Sequence, residues 1–431
     1  MSGSSEAKPP LGGFDATTVG IGCMVGGGVF VVLPPVAGAA GLNMMLSLVL
    51  AAVVAYCSAA STFLLSEGLR DSGHAGSGGT ARSAARVLLG PYMGFVTGWT
   101  LTCALLISAA VLALAFGRYA APDAARPAAA AAVAVLAIPN LFGRYRGSWL
   151  IRFVLAFVLA VLAFGAVVAF NESGHRPALP TLVTDAPSTA GLLRAAGFSF
   201  FVFAGYTRLA ALGNGVRSPE RNIPRALPAA ILVTLGLYLL VAQSLLDWFG
   251  SPQALAASAA PLLAPVAVVG EGIGTGAVLI AAWIASLSGL WALLEGSAHT
   301  AAAMAGDGDL PRVLGRTTAP RQVPWVAQAA AAVVVAGLVL TAELETLLGL
   351  AAFALLLHAG ISNLCAFALR NRRWYTPRAV NLVGLVGALV LALSLPPLHV
   401  LMMLIVLVFG LVVRLTFRRP GQPGAAPAPD G

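Results

Sequence analysis

The chain has 431 residues, 59% of them hydrophobic and only 10% charged, with a mean hydropathy of +0.89 and a formal charge of +9. Its apolar residues come in long blocks instead of amphipathic stripes, which excludes a water-soluble globular domain and defines an integral membrane protein. The four cysteines, Cys23, Cys57, Cys103 and Cys365, all lie in apolar runs without paired spacing, against both a disulfide framework and a zinc site, and the sequence asks for no cofactor.

In chain order, residues 1–13 (MSGSSEAKPPLGG) are short and polar and read as a disordered tail. No cleavable signal is evident, because the apolar run that follows outlasts a signal peptide. Apolar windows of about 20 residues predict spans near 15–38, 42–66, 92–117, 127–142, 149–170 and 191–212. Six more follow near 226–249, 265–298, 324–342, 346–369, 379–395 and 397–417. Residues 419–431 are rich in Pro, Gly and Ala and read as a second disordered tail.

Twelve spans put both termini on one side. With that side as the cytoplasm, 21 of the 25 Lys and Arg residues lie inside and only Arg118, Arg126, Arg176 and Arg194 lie outside. The positive-inside rule demands such a split, so the charge of +9 reports topology and not nucleic-acid binding. Arginine supplies all the basic residues except Lys8, a bias of GC-rich coding that points to a bacterium and its cytoplasmic membrane.

The first span contains GIGCMVGGGVF, residues 20–30, with glycine at 20, 22, 26, 27 and 28. Glycine inside a helix costs roughly 1 kcal/mol against alanine, so the cluster predicts a break. At membrane depth, irregular backbone is tolerated only where protein or a water-filled cavity covers it. The sixth span repeats the interruption in AAGFSFFVFAGYTRLAALGNGV, residues 195–216, where Gly205 stands between aromatics.

Two broken helices at matching places of two five-span halves point to an inverted-repeat transporter with its site at the breaks. Free N–H groups at the positive end of a half-helix suit a carboxylate, and free carbonyls at the negative end suit an ammonium. A zwitterionic amino acid matches both. The same glycines also fit a plainer reading, close helix packing through small residues.

Three stretches carry a resemblance to the amino acid/polyamine/organocation superfamily, the amino acid permeases, over about residues 11–419. They are LGGFDATTVGIGCMVGGGVF at 11–30, GFSFFVFAGYTRLAALGNGVRSPERNIPRALP at 197–228, and GSAHTAAAMAGDGDLPR at 296–312. The resemblance implies an all-α membrane protein of twelve transmembrane helices with the leucine-transporter-type fold. Residues 14–172 and 190–370 would form its five-plus-five inverted repeat, and residues 378–418 two extra C-terminal helices.

The same resemblance implies that N–H groups around Gly26, Gly27 and Gly28 receive a substrate carboxylate, and that carbonyls near Cys23, Phe203 and Ala204 receive its amine. Phe201, Gly205 and Tyr206 border the second break, and Trp291 resembles a pocket-lining aromatic of some antiporters. Each of these aromatics also fits ordinary helix packing. The implied partners are an amino acid or polyamine substrate and membrane lipid, with proton coupling left open.

The chain departs from the family pattern where acids are common, carrying Thr207 and Arg208 after the second break and Asn214 and Gly215 before the following loop. Ionisable residues inside a membrane default to functional hypotheses, which singles out Glu295, His299 and His358. Glu295 and His299 are spaced i, i+4 and share a helical face, where they fit either a proton relay or a water-accessible interfacial pair. His358 reads as a packing residue, Arg152 as a snorkelling one, and Asp15 as a helix-start charge without a substrate role. Arg217, Arg221 and Arg225 anchor the cytoplasmic face, with an ion pair to Glu220 or Asp307 as the alternative.

An enzyme finds no support, for the chain has no dinucleotide fingerprint, P-loop or H-E-x-x-H motif. A channel would need a carbonyl filter or a charged ring, and neither is present. A non-transporting amino-acid sensor and an obligate exchanger share every feature named above.

Overall fold

A computed structural model describes residues 12–71, 80–141, 148–173, 188–211, 215–270, 272–318, 322–369, 373 and 375–417. The two predicted tails fall outside these residues, apart from positions 12 and 13, as does Asn214. Among the described residues the structure is helical, with one isolated β-bridge between Thr318 and Val323.

The first predicted span is two helices, α1 (Gly13–Met24) and α2 (Val29–Ala40), followed by α3 (Met44–Asp71) and the nine-residue α4 (Thr80–Leu88). Next come α5 (Pro91–Ala120), α6 (Ala125–Leu141) and α7 (Ser148–Ser173). The sixth span is again two pieces, α8 (Thr189–Phe203) and α9 (Tyr206–Ala211). Then follow α10 (Pro219–Phe249), the short α11 (Pro252–Ala256) and α12 (Leu263–Val269), and α13 (Ile273–Gly306). The chain closes with α14 (Trp325–Thr341), α15 (Leu344–Ala368), α16 (Arg378–Leu393) and α17 (Pro397–Phe417).

Among the described residues, eight stretches are long and apolar enough to cross a bilayer, and α8, α14 and α16 are shorter apolar helices. The window predicted at 265–298 needs correction. It is split into α12 and α13 by Gly270, whose φ of 135° is open to glycine and ends α12, while α13 runs on to Gly306. The windows also passed over α4, whose sequence TARSAARVL is too short and polar for a span.

Burial sorts the helices into an inner and an outer set. In the apolar centre of Val29–Leu69, Pro91–Ala120 and Leu344–Ala368, 78% of the residues are buried, against 17% for Pro397–Phe417 and 22% for Pro122–Leu141. Helices α2, α3, α5 and α15 therefore form the centre, while α17 turns Leu401, Ile405, Val408 and Phe409 outward, away from the other helices. A polar knot fastens the centre: Asn363 Nδ2 of α15 donates to Ser58 Oγ of α3 at 2.9 Å, and Asn381 Nδ2 of α16 donates to Ser61 Oγ at 2.7 Å. Buried amides and hydroxyls persist there because each finds a partner.

Candidate functional site

Helix α1 stops at Met24 and α2 starts at Val29, and the residues between satisfy little of their own backbone. Gly26 N–H donates to the Met24 carbonyl at 2.9 Å, while the N–H groups of Gly27, Gly28 and Val29 have no backbone acceptor among the described residues. These are the orphan donors that every helix N-terminus presents, here at the start of α2. The Pro34–Pro35 pair sits within α2 one turn further on, so the break itself is set by the three glycines.

The second break is shorter. Ala204 N–H folds back to the Phe201 carbonyl at 3.3 Å, and Thr207 N–H and Oγ1 both reach the Ala204 carbonyl, at 3.3 and 3.0 Å. The carbonyls of Val202 and Phe203 and the N–H groups of Gly205 and Tyr206 are left without backbone partners. Free acceptors thus end α8, and free donors lie at the start of α2.

The two breaks touch each other, and glycine is what lets them. A Cβ on Gly205 would run into the Cys23 carbonyl, and one on Gly28 would meet the Phe201 ring at 3.0 Å and Val202 at 3.2 Å. On the other side of the first break, a Cβ on Gly27 would lie 2.5 Å from Ser286 Oγ and 2.7 Å from its Cα on α13. Gly26 differs: its Cβ position has nothing within 4 Å, and the residue is only half-buried. Open space therefore adjoins the first break at Gly26. Phe201, Phe203 and Tyr206 are buried, whereas Cys23, Ala204 and Gly205 are half-buried.

Two residues at the breaks were not singled out in the sequence. Tyr238 of α10 is 1% exposed and donates its hydroxyl to the Met24 carbonyl at 2.8 Å. Ser286 is fully buried, and its hydroxyl has no partner among the described residues although it adjoins Gly27. A hydroxyl in the middle of an apolar helix was the available signal for both.

The other predicted residues are not gathered there. Trp291 lies five residues beyond Ser286, about 140° round α13, and its carbonyl accepts from Asn140 Nδ2 of α6 at 3.4 Å. Glu295 and His299 lie on unbroken α13, both exposed, with no ion pair between them. Arg208 of α9 crosses to α13 and donates to the Ala292 carbonyl at 2.6 Å. His358 is buried, its Nδ1 3.3 Å from the Thr97 carbonyl oxygen. Asp15 accepts from Gly12 N–H at 3.3 Å and pairs with Arg152 at 2.9 Å, so those two charges meet each other at the start of α1. All four cysteines are free.

A second concentration of chemistry lies far along α13. Arg82 and Arg86 of α4 both pair with Asp307, Arg86 also reaches Asp309 at 2.9 Å, and Arg414 of α17 lies 3.1 Å from Asp309. The Arg414 guanidinium sits 4.5 Å over the Tyr92 ring and 5.0 Å over that of Phe95. Asp307 is thus held by α4, and not by the arginines at 217, 221 and 225.

This is the build of an integral membrane protein whose irregular backbone is sheltered by its own helices. A family model described as amino acid permease matches residues 11–423. An uncharacterized transporter of Mycobacterium tuberculosis is 39% identical over 391 residues, 91% of this chain and 87% of that protein. A branched-chain amino acid permease of Bacillus subtilis is 25% identical over 461 residues, 97% and 95% of the two chains. A methylthioribose transporter of the same organism is 24% identical over 410 residues, 86% and 84%. The chain belongs to the amino acid permease family, whose members are permeases and transporters and not enzymes, and it is an integral protein of a bacterial membrane.

Proposed function

We propose that the protein is a secondary transporter that carries an amino acid across the cytoplasmic membrane by alternating access. The observation that carries this reading is the meeting of two helix breaks, one offering free N–H groups at Gly27, Gly28 and Val29 and the other free carbonyls at Val202 and Phe203. The substrate carboxylate binds at the first and its ammonium at the second, beside the open space at Gly26. Twelve spans with both termini in the cytoplasm, and residues 14–172 and 190–370 as inverted repeats, complete the account. The repeats rock around the breaks.

A neutral, apolar amino acid suits a site bordered by Phe201, Val202, Phe203 and Ala204, none of them charged, and one relative is named for branched-chain amino acids. Because Glu295 and His299 are exposed and unpaired with each other, they support a water-accessible pair better than a buried relay. The test is uptake of a labelled amino-acid panel into liposomes holding the purified protein, with a pH gradient of either sign and with or without internal amino acid. Uptake of a neutral amino acid is expected. Dependence on outside acid would make it a proton symporter, dependence on internal amino acid an exchanger, and binding without any uptake would replace transport by sensing.

A further inference from the structure

One side chain touches the last residue of both half-helices that lead into the breaks. Tyr238 lies in mid-α10, and its hydroxyl donates to the carbonyl of Met24, where α1 ends. Its ring meets the ring of Phe203, where α8 ends, edge-on at 5.6 Å and 68°. The Met24 carbonyl also accepts from Gly26 N–H, so it is doubly bonded and withdrawn from any ligand, while Gly27, Gly28 and Val29 keep their N–H groups free. Helix α10 itself is continuous from Pro219 to Phe249 and thus gives both ends one rigid support.

We propose that Tyr238 is a positioning residue for transport, fixing the spacing between the donor break after α1 and the acceptor break after α8 without touching the substrate. An amino acid spans its carboxylate and ammonium at a fixed distance, so the site must hold its two halves in register, and small displacements of preorganised groups are costly. Tyr119 supplies an internal contrast. It too is a buried tyrosine whose hydroxyl donates to a carbonyl of the first span, that of Phe30 at 3.3 Å, with its ring edge-on to Phe30. Unlike Tyr238 it bridges to no residue of the second break.

The inference rests on the substrate reading above, and the experiment separates the two. Uptake kinetics of a transported neutral amino acid are measured in liposomes for the parent protein, Tyr238→Phe and Tyr119→Phe, alongside the melting temperature of each in detergent. Loss of one buried hydrogen bond corresponds to a rise in apparent KM of roughly three- to tenfold for Tyr238→Phe, at unchanged maximal rate. Tyr119→Phe is expected to keep the parent KM even though its melting temperature falls similarly. Equal KM changes in the two variants, or none in Tyr238→Phe, would overturn the positioning role. Should Tyr238→Phe not fold, Phe203→Leu, which keeps the hydroxyl bond and loses the ring contact, must raise KM in the same direction or the proposal fails. No uptake by the parent protein would instead defeat the transport reading.

Discussion

The helix breaks and the charged cluster beyond α13 solve opposite problems with opposite residues. At the breaks, contact is made by glycine α-carbons against a carbonyl, a ring and a serine, and the polar groups are backbone. At the cluster, Arg82, Arg86 and Arg414 meet Asp307 and Asp309, and the polar groups are full charges joining α4, α17 and the turn after α13. Backbone dipoles give directional, uncharged recognition that survives removal of the ligand, whereas charges need permanent partners once buried. The first arrangement suits the proposed substrate seat, which must be empty for part of each cycle. The second suits a fastening.

The contrast orders what substitutions should do. Gly27→Leu forces a side chain into the backbone of Ser286, so uptake is expected to fall to background, the largest effect of the set. Asp309→Asn leaves Arg414, 1% exposed, facing a neutral partner, and removing one partner of such a buried pair costs about 3–5 kcal/mol. Thermal unfolding in detergent reads that loss, and an unshifted melting temperature would mean the cluster is not a fastening. Ser286→Ala removes a hydroxyl that has no partner, so stability should hold steady or rise by at most about 1 kcal/mol. Arg126→Ala is the smallest: its pair with Glu343 is 44% and 74% exposed, and no change in melting or uptake is expected.

Much of the architecture could be read from the chain because hydropathy at bilayer scale is a strong signal, and the glycines of 26–28 and 205 mark both breaks in the sequence itself. What was missed depended on distant partners. The window at 265–298 ran across Gly270, Glu271 and Gly272, a local break that the apolar residues on either side masked, and α4 was invisible to a search for long spans. Tyr238 and Ser286 offered only a hydroxyl within an apolar helix, and their meaning comes from facing Met24 and Gly27 across the fold. Trp291 and the pair Glu295 and His299 stood out for their chemical type, yet helical phase turns them away from Ser286, the residue of α13 that meets the break.

The most direct test of a substrate seat at the breaks uses Gly26, the one glycine of the triplet whose Cβ position faces open space. Gly26→Val should fold and melt like the parent protein, because the new Cβ has no protein atom within 4 Å, while the side chain fills the space beside the free N–H groups. Measured as equilibrium binding and uptake of a transported amino acid in liposomes, this account requires binding to be lost with folding intact. A Gly26→Val protein that binds and transports at the parent level would contradict it.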